Sequence, residues 1–281
     1  MDEQQILITG AHGKVGTGIL EYLANKDDYH FTCFDKADPP SHLDTEKVDT
    51  IYGDVTEPEK VRSAVEEKDA VIHLAAHPRV DTPWADVLND NIIGTYTALH
   101  AAAEEGVNKF IYASSNHVVG IYEEELSPDI YYPGYDFKLD HKAEVRPDSY
   151  YGAAKCFGES LGRFYSDSTG IRFYALRICS TREPEYDHPY GDAERGVAEE
   201  KWNRGDDEYQ KQVARMKCMW FSRRDLAQMV DLCLRDDLVD FDIFYGLSDN
   251  DRRWHDIQHA RDVLGYNPED NAEEWKAPPT N

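Results

Sequence analysis

The chain begins with a short apolar run that ends in a glycine-rich turn: Gln5-Ile6-Leu7-Ile8-Thr9, then Gly10-Ala11-His12-Gly13-Lys14-Val15-Gly16. The run reads as a buried strand. Over residues 13–25, Val15, Ile19, Leu20 and Leu23 recur near helical spacing. A strand that turns this tightly into a helix needs residues without side chains where backbone crowds backbone. The start of the helix then presents free N–H groups to an anion such as a pyrophosphate. The G-x-x-G-x-x-G spacing is one residue longer than the usual dinucleotide fingerprint, but the physics is the same. That fold also requires an acid about 20 residues further on. Asp35 supplies it, at the end of a second strand over residues 31–34. A carboxylate there accepts both adenosine-ribose hydroxyls and repels a 2′-phosphate, which favours NAD over NADP; Lys36 beside it works against that preference. Asp54, in Gly53-Asp54-Val55, follows a third strand and has two readings, a turn cap or a contact to the adenine amino group.

Beyond this unit, strand-type and helix-type stretches alternate. Strands are expected at 49–52, 69–74, 109–113 and 173–178, and helices at 58–67, 84–105 and 150–166. This alternation predicts an α/β fold, a Rossmann-type doubly wound parallel sheet. Residues 1–178 form the dinucleotide-binding domain. Residues 179–281 read as a small C-terminal substrate lobe packed on the same sheet, with a helix at 223–234, a strand at 242–245 and a helix at 254–264. The tail, 278–281, is expected to fray. The stretch 183–213 is highly charged and punctuated by glycine.

Two further segments carry chemistry. Tyr151 and Lys155, in Tyr151-Gly152-Ala153-Ala154-Lys155, stand at i and i+4 on one helix face. An ammonium near a phenol favours the phenolate and makes the tyrosine a general base. The pair opens the helix before the sixth strand, and a doubly wound sheet does its chemistry at the carboxyl ends of its strands. Ala113-Ser114-Ser115-Asn116-His117 follows the fifth strand, where a hydroxyl could hold a substrate oxygen while Tyr151 takes its proton.

Together these segments resemble the extended short-chain dehydrogenase/reductase family along nearly the whole chain. The glycine loop, His73-Leu74-Ala75-Ala76, Asn91-Ile92-Ile93-Gly94-Thr95, the paired serines and Tyr-x-x-x-Lys occur in that family's order. Within it the chain is most similar to uronate dehydrogenases and haloarchaeal sugar 1-dehydrogenases, through YGAAKCFGE from Tyr151 and GLSDND from Gly246. The resemblance implies an NAD(P)-dependent oxidoreductase that oxidises an aldose at C1 to a lactone. Tyr151 would be the base, Lys155 its ribose-binding partner and Ser115 the hydroxyl that orients the substrate. It implies sugar contacts from Asn116, His117, Ser180 and Arg215, with Arg215 on an anionic group. Cofactor contacts would come from Gly10, Gly13, Lys14, Val15, Gly16, Asp35, Asp54, Val55, Leu74, Ala75, Ala76, Asn91, Tyr151, Lys155 and Ile178. Family members commonly dimerise through a helix pair, so a homodimer is the expected assembly. The chain departs from the uronate enzymes at Pro78, where they have a serine, in a longer 121–149 stretch, and in an added 186–213 segment that reads as an oligomer contact or a solvated helix. A nucleotide-sugar epimerase or dehydratase shares the cofactor site and the Tyr/Lys pair, and is the alternative activity.

Composition excludes other classes. Thirty basic against 55 acidic side chains give a net charge of −25. Such a surface repels phosphate backbones and anionic lipid, so neither nucleic acid nor a membrane is an expected partner. No window approaches the roughly 18 apolar residues of a membrane span, and no signal peptide is evident, so a cytoplasmic location is expected. The five cysteines are widely spaced and form no C-x-x-C. They suit a reducing compartment and read as neither a disulfide framework nor a metal site. With 14 Lys against 55 acids, the surface fits a high-salt interior, because salt screens self-repulsion while the acids hold water. Stability and activity should therefore rise from low to molar KCl, as followed by thermal unfolding; full stability without salt would overturn this reading.

Overall fold

The computed structural model describes residues 3–278 apart from Thr45 and Lys47; residues 279–281 of the expected frayed tail lie outside the described residues. The first half runs β1 (Gln4–Thr9), α1 (Lys14–Leu23), β2 (Tyr29–Asp35), β3 (Asp49–Tyr52), α2 (Pro58–Val65) and β4 (Ala70–His73). Next come α3 (Trp84–Asp86), a π-helical segment (Val87–Ile93), α4 (Gly94–Glu104), β5 (Lys109–Ser115) and α5 (Gly120–Leu126). The remainder is α6 (Tyr150–Thr169), β6 (Arg172–Ile178), α7 (Gly191–Ala198), α8 (Asp207–Met219), α9 (Arg223–Arg235), β7 (Phe241–Gly246) and α10 (Gln258–Leu264).

The seven strands form one parallel sheet in the order β3-β2-β1-β4-β5-β6-β7. Strand side chains alternate between faces. Ile6 and Ile8 therefore pack with Ile19, Leu20, Leu226 and Val230 from α1 and α9. Leu7 packs on the other face with Val71, Leu99, Phe110 and Phe173. The chain reverses its winding between β1 and β4, and such a switch point opens a crevice at the carboxyl ends of the strands. Buried His73 ties this switch point together, its ring nitrogens meeting the Thr9 hydroxyl at 2.8 Å and the Thr95 hydroxyl at 3.2 Å. Burial drives its pKa down to about 3, so it stays neutral at working pH.

Three expectations need correction. The single helix expected at 84–105 contains a π segment, Val87–Ile93, which turns Asp90 and Asn91 inward. The last helix starts at Gln258 rather than 254, because Trp254 and Ile257 are buried in a loop held by Leu139 backbone pairing. The charged 186–213 segment is not simply a solvated helix. It folds as α7 and the start of α8, with Ala193 and Tyr209 in a small core of their own. Its Asp192 reaches a buried arginine, Arg182.

Behind the carboxyl ends of β5 and β6 lies a buried ion pair. Arg177, on β6, donates from Nε and Nη2 to the two carboxylate oxygens of Glu159 on α6, at 2.9 Å each. The Ser114 hydroxyl donates to the same carboxylate at 2.6 Å, and Arg177 Nη1 donates to the Tyr245 hydroxyl at 3.2 Å. Removing one partner of such a pair strands a buried charge, which costs about 3–5 kcal/mol. Glu159→Gln should therefore lower the unfolding free energy by about 3 kcal/mol in urea titrations at constant salt. A midpoint equal to that of the unaltered chain would show that the pair does not hold the sheet to α6.

Candidate active site

At the carboxyl ends of β1, β2 and β4 lies a cavity of about 380 Å3 whose wall includes Gly10, Gly13, Lys14 and Val15. Gly10 takes a positive φ of 69°, and a Cβ on it would stand 2.7 Å from the Ala75 backbone nitrogen. A Cβ on Gly16 would meet the Ala11 carbonyl oxygen at 2.3 Å. Packing of the protein itself thus demands both glycines. Gly13 differs: a Cβ there would meet nothing nearer than the Gly10 carbonyl at 3.4 Å, while the residue faces the cavity at the start of α1. Its missing side chain leaves room for a ligand against the helix N-terminus, as a pyrophosphate requires. Gly16 is not among the residues lining the cavity, and the crowding by Ala11 is what its backbone shows.

Asp35, Asp54 and Val55 line the far end of this cavity, and Leu74, Ala75 and Ala76 line it beyond β4. The Asp35 carboxylate accepts from the His12 N–H and the Ala37 N–H, at 2.9 Å each, which fixes its position without filling its lone pairs. Of the two readings of Asp54, the turn cap is seen directly, and the residue also faces the cavity. One carboxylate oxygen caps its own turn, accepting from the Thr56 N–H and hydroxyl at 3.0 and 2.8 Å, while the residue lines the cavity. Asn91 lines neither this cavity nor the next. Its side chain accepts from the His77 N–H at 2.8 Å and donates to the His77 carbonyl at 3.1 Å, which ties the π segment to the loop after β4.

A second cavity of about 210 Å3 continues from the first through Lys14, Val15, Leu74, Ala76 and Pro78. It brings together Ser115, Asn116 and His117 after β5, Tyr151 and Lys155 on α6, and Ile178 and Ser180 beyond β6. Ser149 caps α6, accepting from the Gly152 N–H at 3.0 Å, which sets the helix start beside the end of β5. The His117 ring meets the Tyr151 ring edge-on at 5.7 Å, and its Nδ1 lies 2.5 Å from an Asp148 oxygen. With Nδ1–H donating to that carboxylate, the neutral ring presents Nε2 as an acceptor.

The charge states differ from expectation. Lys155 is buried, with its ammonium 5.6 Å from the Tyr151 ring centroid. Burial lowers its pKa to about 7. Burial likewise raises the Tyr151 phenol, against an easing contact from the Ser115 hydroxyl, with the Asp148 charge adding to the rise. Desolvation thus outweighs the mutual help that a lysine and a tyrosine would give each other.

Arg215 reaches the second cavity, but its guanidinium is already paired with Glu123, at 2.6 and 3.3 Å. Sequence reasoning missed Arg182, which lines the same cavity and is held by buried Asp192 on α7. Asp192 comes from the added segment, so no local motif could have joined the two. Glu159, Glu123 and Asp148 were missed for the same reason: each acts through a partner at least 18 residues away.

A dinucleotide-shaped crevice with a Tyr/Lys/Ser set at one end defines an oxidoreductase of the short-chain dehydrogenase/reductase type. The chain belongs to the NAD dependent epimerase/dehydratase family, whose pattern matches residues 6–241. It is 39% identical to the NAD-dependent glucose-6-phosphate dehydrogenase of Haloferax volcanii, over 97% of this chain and 96% of that one. It is 32% identical to the L-arabinose 1-dehydrogenase (NAD(P)(+)) of the same organism, over 95% and 97%. Among solved structures it is similar to uronate dehydrogenase from Agrobacterium tumefaciens, with a TM-score of 0.75 and 28% identity over 100% of this chain and 92% of that one. NAD is the cofactor, and the glycine cradle and the placement of Asp35 fit it.

Lys155 gives a stability test. Its folded pKa is about 7 and its ordinary value 10.5, so between these the unfolded chain binds more protons and stability rises with pH. Below pH 7 the buried charge costs the fold in full. Lys155→Met should therefore be more stable than the unaltered chain at pH 6, by a few kcal/mol, with the gap closing by about pH 10. Equal stability at both pH values would show that Lys155 is not held in a desolvated site.

Proposed function

We propose that this protein is an NAD-dependent sugar 1-dehydrogenase that oxidises an aldose carrying an anionic group, a phosphate ester or a carboxylate, at C1. The observation that carries the reading is the makeup of the second cavity. Tyr151 and Ser115 stand there beside the polar groups of Asn116, His117 and Ser180. Its charged wall is Lys14, Lys155, Arg182 and Arg215, with no carboxylate among the described lining residues. In a chain of net charge −25, a wall with four basic side chains, two of them arginines, and no acid is a local exception. It suits an anion beside the hydroxyls of a sugar. The names of the Haloferax volcanii relatives support a sugar substrate, and glucose 6-phosphate is the first compound to try.

In this reading Tyr151, as phenolate, takes the proton of the anomeric hydroxyl. Ser115 holds the same oxygen, and the His117 Nε2 acceptor positions a neighbouring sugar hydroxyl. Bound NAD supplies the hydride acceptor for the C1 hydrogen. The sugar loses one proton and one hydride and becomes a lactone, which water opens in a separate step. Lys155 supports the phenolate and the cofactor ribose. Residues 179–281 form the substrate lobe, with Arg182 and Arg215 at the anionic end. A homodimer would form along α4 and α6, where Tyr96 and Phe164 are exposed.

Because burial raises the Tyr151 phenol, the phenolate fraction grows with pH, so sugar oxidation should speed up from neutral into alkaline pH. A panel of sugar phosphates, uronates and free aldoses with NAD, followed as NADH absorbance, tests the substrate class. Tyr151→Phe should lower turnover by about two to four orders of magnitude with NAD binding retained. Near-normal turnover in that variant would refute the assignment.

A further inference from the structure

Lys36 sits directly after the NAD-selecting Asp35, where a basic residue would welcome the 2′-phosphate of NADP. Its ammonium is engaged elsewhere. Nζ donates to an Asp90 oxygen at 3.0 Å and to an Asp54 oxygen at 3.4 Å. Asp90 belongs to the π segment after α3, and its side chain is largely buried, whereas that of Lys36 is 60% exposed. The carboxylate is therefore the fixed partner and the lysine the mobile one. Asp90 is held in place by the Asn89 amide, which donates to its other oxygen at 2.7 Å, and its Lys36-facing oxygen lies 3.1 Å from His77 Nε2. Asn91, in the same π segment, clamps the His77 backbone. All of these but Asn89 and Asn91 line the cavity that holds Asp35.

We propose that Asp90 is a cofactor-specificity residue: together with Asp54 it draws the Lys36 ammonium away from the adenosine 2′ position, so the chain selects NAD with two layers of charge instead of one. Asp35 repels a 2′-phosphate, and Asp90 withholds the cation that would offset that repulsion. The rise in the Lys36 pKa, caused first by its hydrogen bond to Asp90, agrees with this tie. Asp90 lies within the π turn, among the buried residues of that segment, and single π turns often mark functional sites.

The inference rests on the cofactor site proposed above and is tested by binding rather than turnover. The whole protein is titrated with NAD and with NADP by calorimetry, along with Asp90→Asn, Lys36→Ala and the double variant. An exposed lysine is held by modest energies, so Asp90→Asn should raise the NADP-to-NAD affinity ratio about three- to tenfold. Lys36→Ala should not raise that ratio, and adding it to Asp90→Asn should abolish the gain, because the gain needs the freed ammonium. An unchanged ratio in Asp90→Asn, or a gain that survives in the double variant, would overturn the proposal. If the unaltered protein bound neither dinucleotide, the cofactor site itself would fail. If it binds NAD and Asp90→Asn has no effect, only the role of Asp90 fails.

Discussion

The Arg177–Glu159 pair is the joint on which the candidate active site depends. Glu159 lies one turn beyond Lys155 and two beyond Tyr151, so all three share the buried face of α6. The same carboxylate takes the Ser114 hydroxyl, the residue before Ser115. One buried pair therefore fixes the rotation of α6 against both β5 and β6, and with it the placement of phenol, ammonium and hydroxyl. Ionic partners inside a protein are expensive to desolvate, and an apolar pair of similar volume would often be as stable. What an apolar pair could not supply is direction. A two-point bond between a planar guanidinium and a carboxylate tolerates little sliding or rotation.

Charge is arranged on the same plan elsewhere. The acids that balance Arg182 and Arg215 do not line that cavity, Asp192 coming from α7 and Glu123 from α5. Each ion pair fixes the position of a cation that does line it. Buried pairs of this kind are screened little by salt, unlike the acids of the outer surface. The chain can thus carry a net charge of −25 and still offer an anion a cationic wall.

Much of the fold was legible because parallel strands buried on both faces are plain apolar runs, and their glycine and acid punctuation is local. Gly10, Asp35, Ser115, Tyr151 and Lys155 all lie where strand ends and helix starts are marked in sequence, so they could be placed without coordinates. What was hidden follows one rule. The π segment leaves the apolar pattern of the 84–105 stretch unchanged and alters only which way Asp90 and Asn91 face. Trp254 and Ile257 continue a helical spacing, yet their burial comes from a packed loop. Asp192 lies in a charged stretch with nothing local to mark it, and its partner Arg182 precedes that stretch. The Tyr/Lys spacing was readable, but the desolvation that shifts both groups depends on everything packed around them.

Asp54 shows how one carboxylate can hold a turn and still face a cavity. From spacing, it read as either a turn cap or a contact to the adenine amino group. A carboxylate has two oxygens, and here Oδ1 closes the turn through Thr56 while Oδ2 faces Lys36 at the cavity end. The turn holds the carboxylate still, and a fixed charge can act on its surroundings without the entropic cost of ordering it first. The same logic runs through Asp35, pinned by the His12 and Ala37 amides, and Asp90, pinned by Asn89. Three anchored carboxylates, two of them bonded to Lys36, give this end of the cavity a charge pattern set before any ligand arrives. That pattern depends on where the backbone fixes each acid as much as on how many acids there are.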